Sequence, residues 1–205
     1  MPRPRSLAPA QLASAALTVV DRDGLPALTM RAVAKELGTS PMALYRYVTD
    51  REELAALVVE QVLTAVDTSP PAGGNWRERA AALVHRMRRA IGGHPAVTPL
   101  LPAHRHRSPT VLRWTETMLG VLTDAGFAGT HRVVALRALL AYTVGAIQLE
   151  HLGPLAGAGT TTMAALPPAD FPYLAATAAD ARLVGPDAEF DAGLDILLRG
   201  MDDGG

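Results

Sequence analysis

The chain has 205 residues and a mass of 21.5 kDa, which allows one large domain or a small domain joined to a medium one. Hydrophobic residues make up 49% of it, so it can bury a core and is not globally disordered. It contains no cysteine, which excludes disulfide scaffolds, cysteine-ligated metal sites and thiol nucleophiles.

The formal net charge of −1 conceals an uneven distribution of charged side chains. Residues 1–51 carry seven basic and four acidic side chains, whereas the rest of the chain carries 12 basic and 16 acidic ones. A basic N-terminal end therefore precedes a mildly acidic body. Because the charges are separated in this way, the overall balance does not exclude a nucleic-acid partner.

Targeting and membrane signals are not apparent in the sequence. The N-terminal residues contain prolines and arginines and no long apolar stretch, unlike a secretory signal. The longest apolar run, 133–149, is interrupted by Arg137 and Gln148 and is shorter than the roughly 20 residues that span a bilayer. We therefore expect a cytoplasmic protein.

Periodic apolar residues predict two helices at the start of the chain. The first covers residues 9–23 and ends at Gly24. The second covers residues 29–37, with Thr29 as its N-cap and Gly38 at its C-terminal end.

Capping residues mark two further helices. Ser40 is a plausible N-cap and Pro41 a first helical position, and they predict a short helix that reaches Tyr47. Asp50 predicts the cap of a fourth helix over residues 50–66, because a glutamate follows it three residues later.

Proline and glycine in residues 67–75 predict a loop, after which helical patterns resume. Helices are predicted at 76–92, 108–125, 130–152 and 187–201, with shorter pieces near 95–103 and 170–183. Residues 153–172 are rich in Gly, Pro and Thr, and we expect a mobile or functional loop there. No alternating apolar run is bounded by hairpin turns, so the predicted class is all-α.

Residues 29–51 carry the chemistry that points to a function. Two short helices joined by residues 37–40 fit a helix-turn-helix at about 29–48, whose second helix could enter a DNA major groove. Tyrosine hydroxyls reach phosphates, and arginine reaches phosphate or guanine. Tyr45 could instead pack in the core of a small domain. The candidate DNA-binding residues are Thr29, Arg31, Ser40, Pro41, Met42, Ala43, Tyr45, Arg46, Tyr47 and Arg51.

Three stretches of this region form a recognisable pattern. They are Leu28-Thr29-Met30-Arg31-Ala32-Val33-Ala34-Lys35-Glu36-Leu37-Gly38, Leu44-Tyr45-Arg46-Tyr47-Val48 and Arg51-Glu52-Glu53-Leu54. The pattern resembles the TetR family of bacterial transcriptional regulators. A weaker similarity to the tetracycline-repressor type of C-terminal domain rests on Trp76, on His104 to Phe127 with its Asp-Ala-Gly-Phe ending, and on the long helix that follows.

The resemblance implies an architecture and a partner. It implies an all-α protein with an N-terminal three-helix helix-turn-helix domain, residues 1–66, and a larger helical ligand-binding and dimerisation domain, residues 67–205. Members of the family bind a palindromic double-stranded DNA operator as homodimers. The candidate DNA-binding residues given above match family positions that touch operator DNA, except that Arg46 occupies a position that is often aromatic.

The resemblance also implies a dimer formed by a four-helix bundle from residues 131–152 and 187–201 of each subunit. The 131–152 helix is apolar over much of its circumference. It could be a central core helix of a monomer, but a body this small cannot easily surround it, which favours an interface. The candidate interface residues are Val133, Leu140, Val144, Ile147, Phe190, Leu194, Leu197 and Leu198.

A pocket for a small-molecule effector in the body is a further implication, and its occupation would move the fourth helix and release the operator. Each candidate residue could equally be simple core. Ala65 and Leu83 stand where polar tetracycline contacts are expected, so an apolar or aromatic effector is favoured over a tetracycline. The candidates are Gln61, Leu83, Met87, Leu101, His104, Trp114, Met118, Leu122, Tyr142 and Gln148.

Metal and cofactor chemistry is not expected. His104 and His106 could suggest a metal, but no carboxylate lies between Glu78 and Glu116, and Arg105 would repel a cation. Enzyme signatures are missing as well, because no serine sits in a nucleophile elbow and no P-loop or zinc-protease motif occurs.

The sequence therefore indicates a ligand-responsive transcriptional regulator, and a repressor in particular. The alternative is an adaptor whose helix-turn-helix binds a protein and has no sequence-specific affinity for DNA. Salt-sensitive binding to a palindromic duplex distinguishes the two.

Overall fold

The structure is a computed structural model that describes residues 7–201. The first six and last four residues, which include Arg3 and Arg5 of the basic N-terminal end, lie outside the described residues. Within residues 7–201 the chain forms α-helices and 3-10 helices and no strand, which confirms the all-α prediction.

The helices follow one another along the chain with short connections. They are α1 (Pro9–Asp23), α2 (Met30–Glu36), α3 (Pro41–Leu44), α4 (Arg51–Leu63), α5 (Trp76–Gly92), α6 (Leu101–His104), α7 (Pro109–Asp124), α8 (Gly129–Leu152), α9 (Ala158–Ala164), α10 (Pro172–Ala181) and α11 (Pro186–Gly200). Two 3-10 helices, Leu25–Ala27 and Pro95–Leu100, lie between them.

The described residues divide into two compact units. One unit contains residues 7–70 and 85–117, and the other contains residues 71–84 and 118–201. The first unit therefore includes residues 7–66 of the segment predicted as the helix-turn-helix domain, and it also includes residues 85–117.

The core of the first unit forms between α1 and α4, and α2 packs on α1. Pro9 is suited to the first turn of α1, and Gly24, with φ 81°, ends it. The apolar positions of α1 and α4 recur at helical spacing and are buried. They are Leu12, Ala16, Val19, Val20, Leu54, Ala55, Val58, Val59 and Val62.

The second unit contains the packing of α8 against α11. The Tyr142 hydroxyl donates to the backbone oxygen of Phe190 at 2.6 Å, and the two rings lie 5.2 Å apart. Near the start of the same unit, Trp76 meets the edge of Phe127 with 5.1 Å between ring centroids. Aromatic pairs of this kind add to the hydrophobic burial that holds helices together.

The structure corrects two helix ends. The helix predicted to reach Tyr47 ends at Leu44, because the Tyr47 N–H bonds the Leu44 carbonyl at 2.8 Å and tightens the chain into a turn. The helix predicted to reach residue 66 ends at Leu63.

The stretch 153–172, which we expected to be a loop, contains α9. The hydroxyls of Thr161 and Thr162 donate to carbonyls four residues earlier, on Gly157 and Ala158, and so remain within the helix. Thr160 is buried, and α9 packs against α10. Packing between two short helices therefore outweighs the weak helix propensity of the threonines.

The longest helix, α8, exposes much of its apolar surface to solvent. In the described part of the chain it alone is long and apolar enough to cross a membrane, by length and composition only. Only 22% of its most apolar window is buried within the chain. The structure thus leaves a large part of its apolar surface open.

Candidate nucleic-acid interface and effector region

The first helix of the predicted helix-turn-helix is fixed at its N-terminus by Thr29. The Thr29 hydroxyl accepts a hydrogen bond from the Ala32 N–H at 3.1 Å, which confirms the predicted N-cap. Val33 and Ala34 are buried, whereas Arg31 faces solvent. The capping residue thus orients the helix so that Arg31 remains accessible.

The turn between α2 and α3 depends on Gly38. Its φ is 63°, a left-handed conformation that favours glycine. The Gly38 N–H bonds Lys35, and the Thr39 N–H bonds Ala34, which satisfies two carbonyls at the end of α2. The chain then enters α3 with Ser40 at the N-cap position and Pro41 at the first helical position, although the Ser40 side chain makes no capping hydrogen bond.

Residues 40–47, which we call the reading segment, place large side chains in solvent. Met42 is 73% exposed and Tyr45 is 49% exposed, so Tyr45 is not a core residue of this unit. Ser40 and Arg46 are exposed as well, while Pro41, Ala43 and Tyr47 are half-buried. Leu44, together with Val48 just after the segment, is buried and holds the segment to the unit.

Arg51 differs from the other candidate DNA-binding residues. Its Nε donates to the Leu28 carbonyl at 2.9 Å, and one terminal nitrogen donates to the Leu25 carbonyl at 3.3 Å. The guanidinium predicted to grip a phosphate is therefore directed at the backbone that precedes α2. The sequence could not indicate this contact, because its partners lie 23 and 26 residues away.

A charged cluster joins α1 to α2 in the same unit. Arg22 bonds Asp23 at 2.9 Å and Glu36 at 2.8 Å. The hydrogen bond from Arg22 holds the pKa of Asp23 below its usual value, and the hydrogen bond to Asp23 raises the pKa of Arg22. The cluster is solvent-exposed, so its ion pairs contribute little to stability.

The ten effector candidates are divided between the two units. Gln61, Met87, Leu101, His104 and Trp114 belong to the first, and Leu83, Met118, Leu122, Tyr142 and Gln148 belong to the second. All are buried except Gln61, Tyr142 and Gln148, which are half-buried. A groove of about 330 Å³ between α8 and α11 is lined by only one of them, Tyr142.

The eight interface candidates do not form one exposed surface. Ile147, Phe190, Leu194 and Leu198 are already buried within the chain, so they hold α8 and α11 in place and have little surface left for a partner. Val133 is exposed, and Leu140, Val144 and Leu197 are half-buried.

Four large apolar residues outside the set of eight interface candidates are exposed on α8 and α11. They are Val134, Leu149, Leu152 and Ile196, and their exposed fractions lie between 57% and 78%. Helical periodicity marks them as apolar but cannot show which face of a helix its own chain covers. The candidate interface is therefore revised toward these residues.

In the described part of the chain, no three His, Asp or Glu side chains are arranged to hold a metal ion. His104 is buried, and its Nε2 lies 3.5 Å from a carboxylate oxygen of Glu52. This histidine therefore faces an acidic side chain of α4.

Comparison with known proteins identifies the family. The family model described as "Bacterial regulatory proteins, tetR family" matches residues 12–58, and "Tetracyclin repressor-like, C-terminal domain" matches residues 69–203. The first of these covers α2, the turn and α3, where the reading segment lies.

Similar proteins cover nearly the whole chain. An HTH-type transcriptional regulator of Saccharopolyspora erythraea is 30% identical over 93% of this chain and 83% of its own length. The class A tetracycline repressor from transposon 1721 of Escherichia coli is 30% identical over 95% and 90%. The Streptomyces coelicolor TetR family protein ActR, solved with (S)-DNPA, superposes with a TM-score of 0.84 at 26% identity, over 98% of this chain and 100% of ActR. The chain belongs to the TetR family of bacterial regulatory proteins.

Proposed function

We propose that the chain is a ligand-responsive transcriptional repressor that binds a palindromic operator as a homodimer and is released by a small apolar or aromatic effector. The observation that carries the proposal is the exposure of Met42, Tyr45 and Arg46 in the reading segment, with Arg31 exposed on the preceding helix. Exposed apolar, aromatic and basic side chains grouped in this way are suited to contact bases and phosphates.

The exposed apolar residues of α8 and α11 support a homodimer. Large exposed apolar patches on a protein usually mark an interaction surface. A second copy would cover Leu149, Leu152 and Ile196, and it would provide the second reading segment that a palindrome requires. In dimeric helix-turn-helix proteins the two half-sites lie one helical turn apart, roughly 34–36 Å.

Two kinds of support favour an apolar or aromatic effector. ActR, a relative of this chain, has been solved with (S)-DNPA and with actinorhodin. Within the second unit, the effector candidates Leu83, Met118 and Leu122 are buried and apolar. We assign operator binding to residues 1–66 and effector binding and dimerisation to residues 67–205. A screen of small aromatic compounds, scored by release of a bound duplex, would identify the effector.

The DNA contacts can be tested by gel shift with palindromic duplexes from the neighbourhood of the gene. We expect salt-sensitive binding, and we expect Arg31→Ala and Tyr47→Ala each to cost about 1–3 kcal/mol of binding free energy. Arg182→Ala, which removes an exposed arginine from the second unit, is the matched control and should bind like the unchanged protein.

Two results would contradict the proposal. The first is the absence of salt-sensitive binding to any of these palindromes, which would favour the adaptor function. The second is equal loss of affinity in Arg31→Ala and in the Arg182→Ala control, which would show that the loss is not specific to the helix-turn-helix.

A further inference from the structure

Carboxylates of the helix-turn-helix domain face one short stretch of the chain, residues 94–110, which we call the supporting segment. Asp21 on α1 lies 2.8 Å from Nδ1 of His94. Glu52 on α4 lies 3.5 Å from Nε2 of His104. Glu60, also on α4, accepts hydrogen bonds from Ser108 and Thr110 at the C-terminal end of the segment. All these residues belong to the first compact unit.

Glu60 uses both of its carboxylate oxygens. Oε1 accepts a hydrogen bond from the Thr110 hydroxyl at 2.7 Å, and Oε2 accepts one from the Ser108 hydroxyl. The Ser108 oxygen accepts in turn from the Val111 N–H at 3.1 Å, so it caps the start of α7. Ser108 is 2% exposed and Thr110 is 3% exposed. A single carboxylate on α4 is therefore held by two buried hydroxyls at the N-terminus of α7.

These hydrogen bonds restrict movement of α4 relative to the N-terminus of α7. Buried hydroxyls need a hydrogen-bond acceptor, and bonds to a carboxylate are stronger than bonds between neutral groups. The N-terminus of a helix such as α7 also favours a negative charge. Movement of α4 away from α7 would separate Glu60 from both hydroxyls at once, and it would leave Ser108 and Thr110 buried without their acceptor.

The N-terminal end of α4 is coupled to the DNA-reading helices. Arg51, the first residue of α4, bonds the carbonyls of Leu25 and Leu28 in the segment that leads into α2. The direction of α4 is thereby linked at one end to α2 and at the other end, through Glu60, to α7.

We propose that Glu60 is a positioning residue for operator recognition, which sets the direction of α4 through Ser108 and Thr110 and thereby fixes the spacing of the two reading segments in the dimer. The inference rests on the proposed function, because spacing has a meaning only for a dimer on a palindrome. Glu60 does not touch DNA. Glu60 instead determines which separation of the two half-sites the dimer can bind.

The test uses the full-length protein and the palindromic duplex that it binds best, together with duplexes that have one base pair added or removed at the centre. The unchanged protein should discriminate against the altered duplexes. In Glu60→Ala we expect the ratio of dissociation constants between altered and best duplex to fall about tenfold, which equals ~1.4 kcal/mol. Thr110→Val, which removes one hydroxyl and little volume, should lower the ratio by a smaller factor.

Two further variants separate positioning from general damage. Glu60→Gln keeps one acceptor oxygen and should restore part of the discrimination that Glu60→Ala loses. Glu116→Ala removes an exposed glutamate of α7 in the same unit and should leave the ratio unchanged. Urea unfolding of each variant reports stability independently of the ratio.

The outcomes are distinct. Reduced stability with an unchanged spacing ratio in both Glu60→Ala and Thr110→Val would overturn the proposal, because the contact would then be purely structural. If Glu60→Ala does not fold, the ratio in Thr110→Val decides the question. Failure of the unchanged protein to bind any palindrome would instead refute the proposed function.

Discussion

At the scale of single residues, Arg51 shows how a side chain with the chemistry of a DNA contact can serve the fold. Its guanidinium joins the start of α4 to the backbone that leads into α2. The Leu25 carbonyl also accepts the Leu28 N–H at 3.1 Å at the end of the 3-10 helix Leu25–Ala27, so the guanidinium adds a second donor there. Arg51 therefore helps to orient α2 before any DNA is bound.

We expect Arg51→Ala to lower the free energy of unfolding by about 1 kcal/mol, because it removes two charge-assisted hydrogen bonds that are partly exposed to water. Urea unfolding followed by circular dichroism measures the change. Arg46→Ala is the matched control, since Arg46 is exposed in the reading segment and should affect DNA binding more than stability. Normal stability of Arg51→Ala together with lost operator affinity would restore its role as a phosphate contact.

Hydrogen bonds between residues that are close in the sequence could be predicted from the sequence. Thr29 and Asp50 cap the N–H groups three residues ahead of them, and such contacts depend only on local spacing. The position of the reading segment follows from the same local signals. The contacts of Arg51 and Glu60 could not be predicted, because their partners are brought close only when the whole unit folds.

At the scale of helices, the packing of α8 against α11 depends on one glycine. A Cβ atom at Gly193 would lie 2.5 Å from the Tyr142 hydroxyl oxygen and 3.1 Å from two ring carbons. The ring of Tyr142 therefore occupies the space next to Gly193, and its hydroxyl bonds the Phe190 backbone one turn earlier on α11. The two helices approach closely only because residue 193 has no side chain.

We expect Gly193→Ala to destabilise the protein by about 1–3 kcal/mol, because Tyr142 must move and its hydrogen bond to Phe190 is strained or lost. Thermal unfolding measures the loss. Gly200→Ala is the matched control, since a Cβ atom there meets nothing within 4 Å. Equal melting temperatures for the two variants would show that α8 and α11 adjust without cost.

The errors in helix boundaries also belong to this scale. Residues 153–172 have the composition of a loop, yet α9 forms there because it packs against α10. The short helix α3 stops at Leu44, although Tyr45 to Tyr47 have no residue that breaks a helix. A contact between elements stabilises α9, whereas α3 ends in a local hydrogen-bonded turn from the Tyr47 N–H to the Leu44 carbonyl, and composition alone indicates neither.

At the scale of the whole molecule, the exposed apolar residues of α8 and α11 form the surface that we propose for a second copy. Ile147, Phe190, Leu194 and Leu198 could be identified as apolar from the sequence, but the chain itself buries them. The residues left for a second copy are the exposed ones, which periodicity does not separate from the buried ones. Only the packing of the chain distinguishes the two sets.

We expect Leu149→Glu and Ile196→Glu to give monomers, because each places a charge where a second copy would bury an apolar side chain. Analytical ultracentrifugation measures the change in mass, and operator affinity should fall with it. Leu112→Glu alters an exposed leucine of α7 in the first unit and should remain a dimer. Persistence of the dimer in both test variants would place the interface elsewhere.

The exposure of Met42 has a chemical consequence. Met87 and Met118 are buried, whereas the thioether of Met42 is open to solvent at the centre of the reading segment. Peroxide converts such a group to a polar sulfoxide, and methionine sulfoxide reductases reverse the reaction. A sulfoxide at this position would replace the apolar contact that we propose for a thymine methyl group with a polar one. Oxidised protein can therefore lose operator affinity while its fold stays intact, and a mass increase at Met42 distinguishes this loss from unfolding.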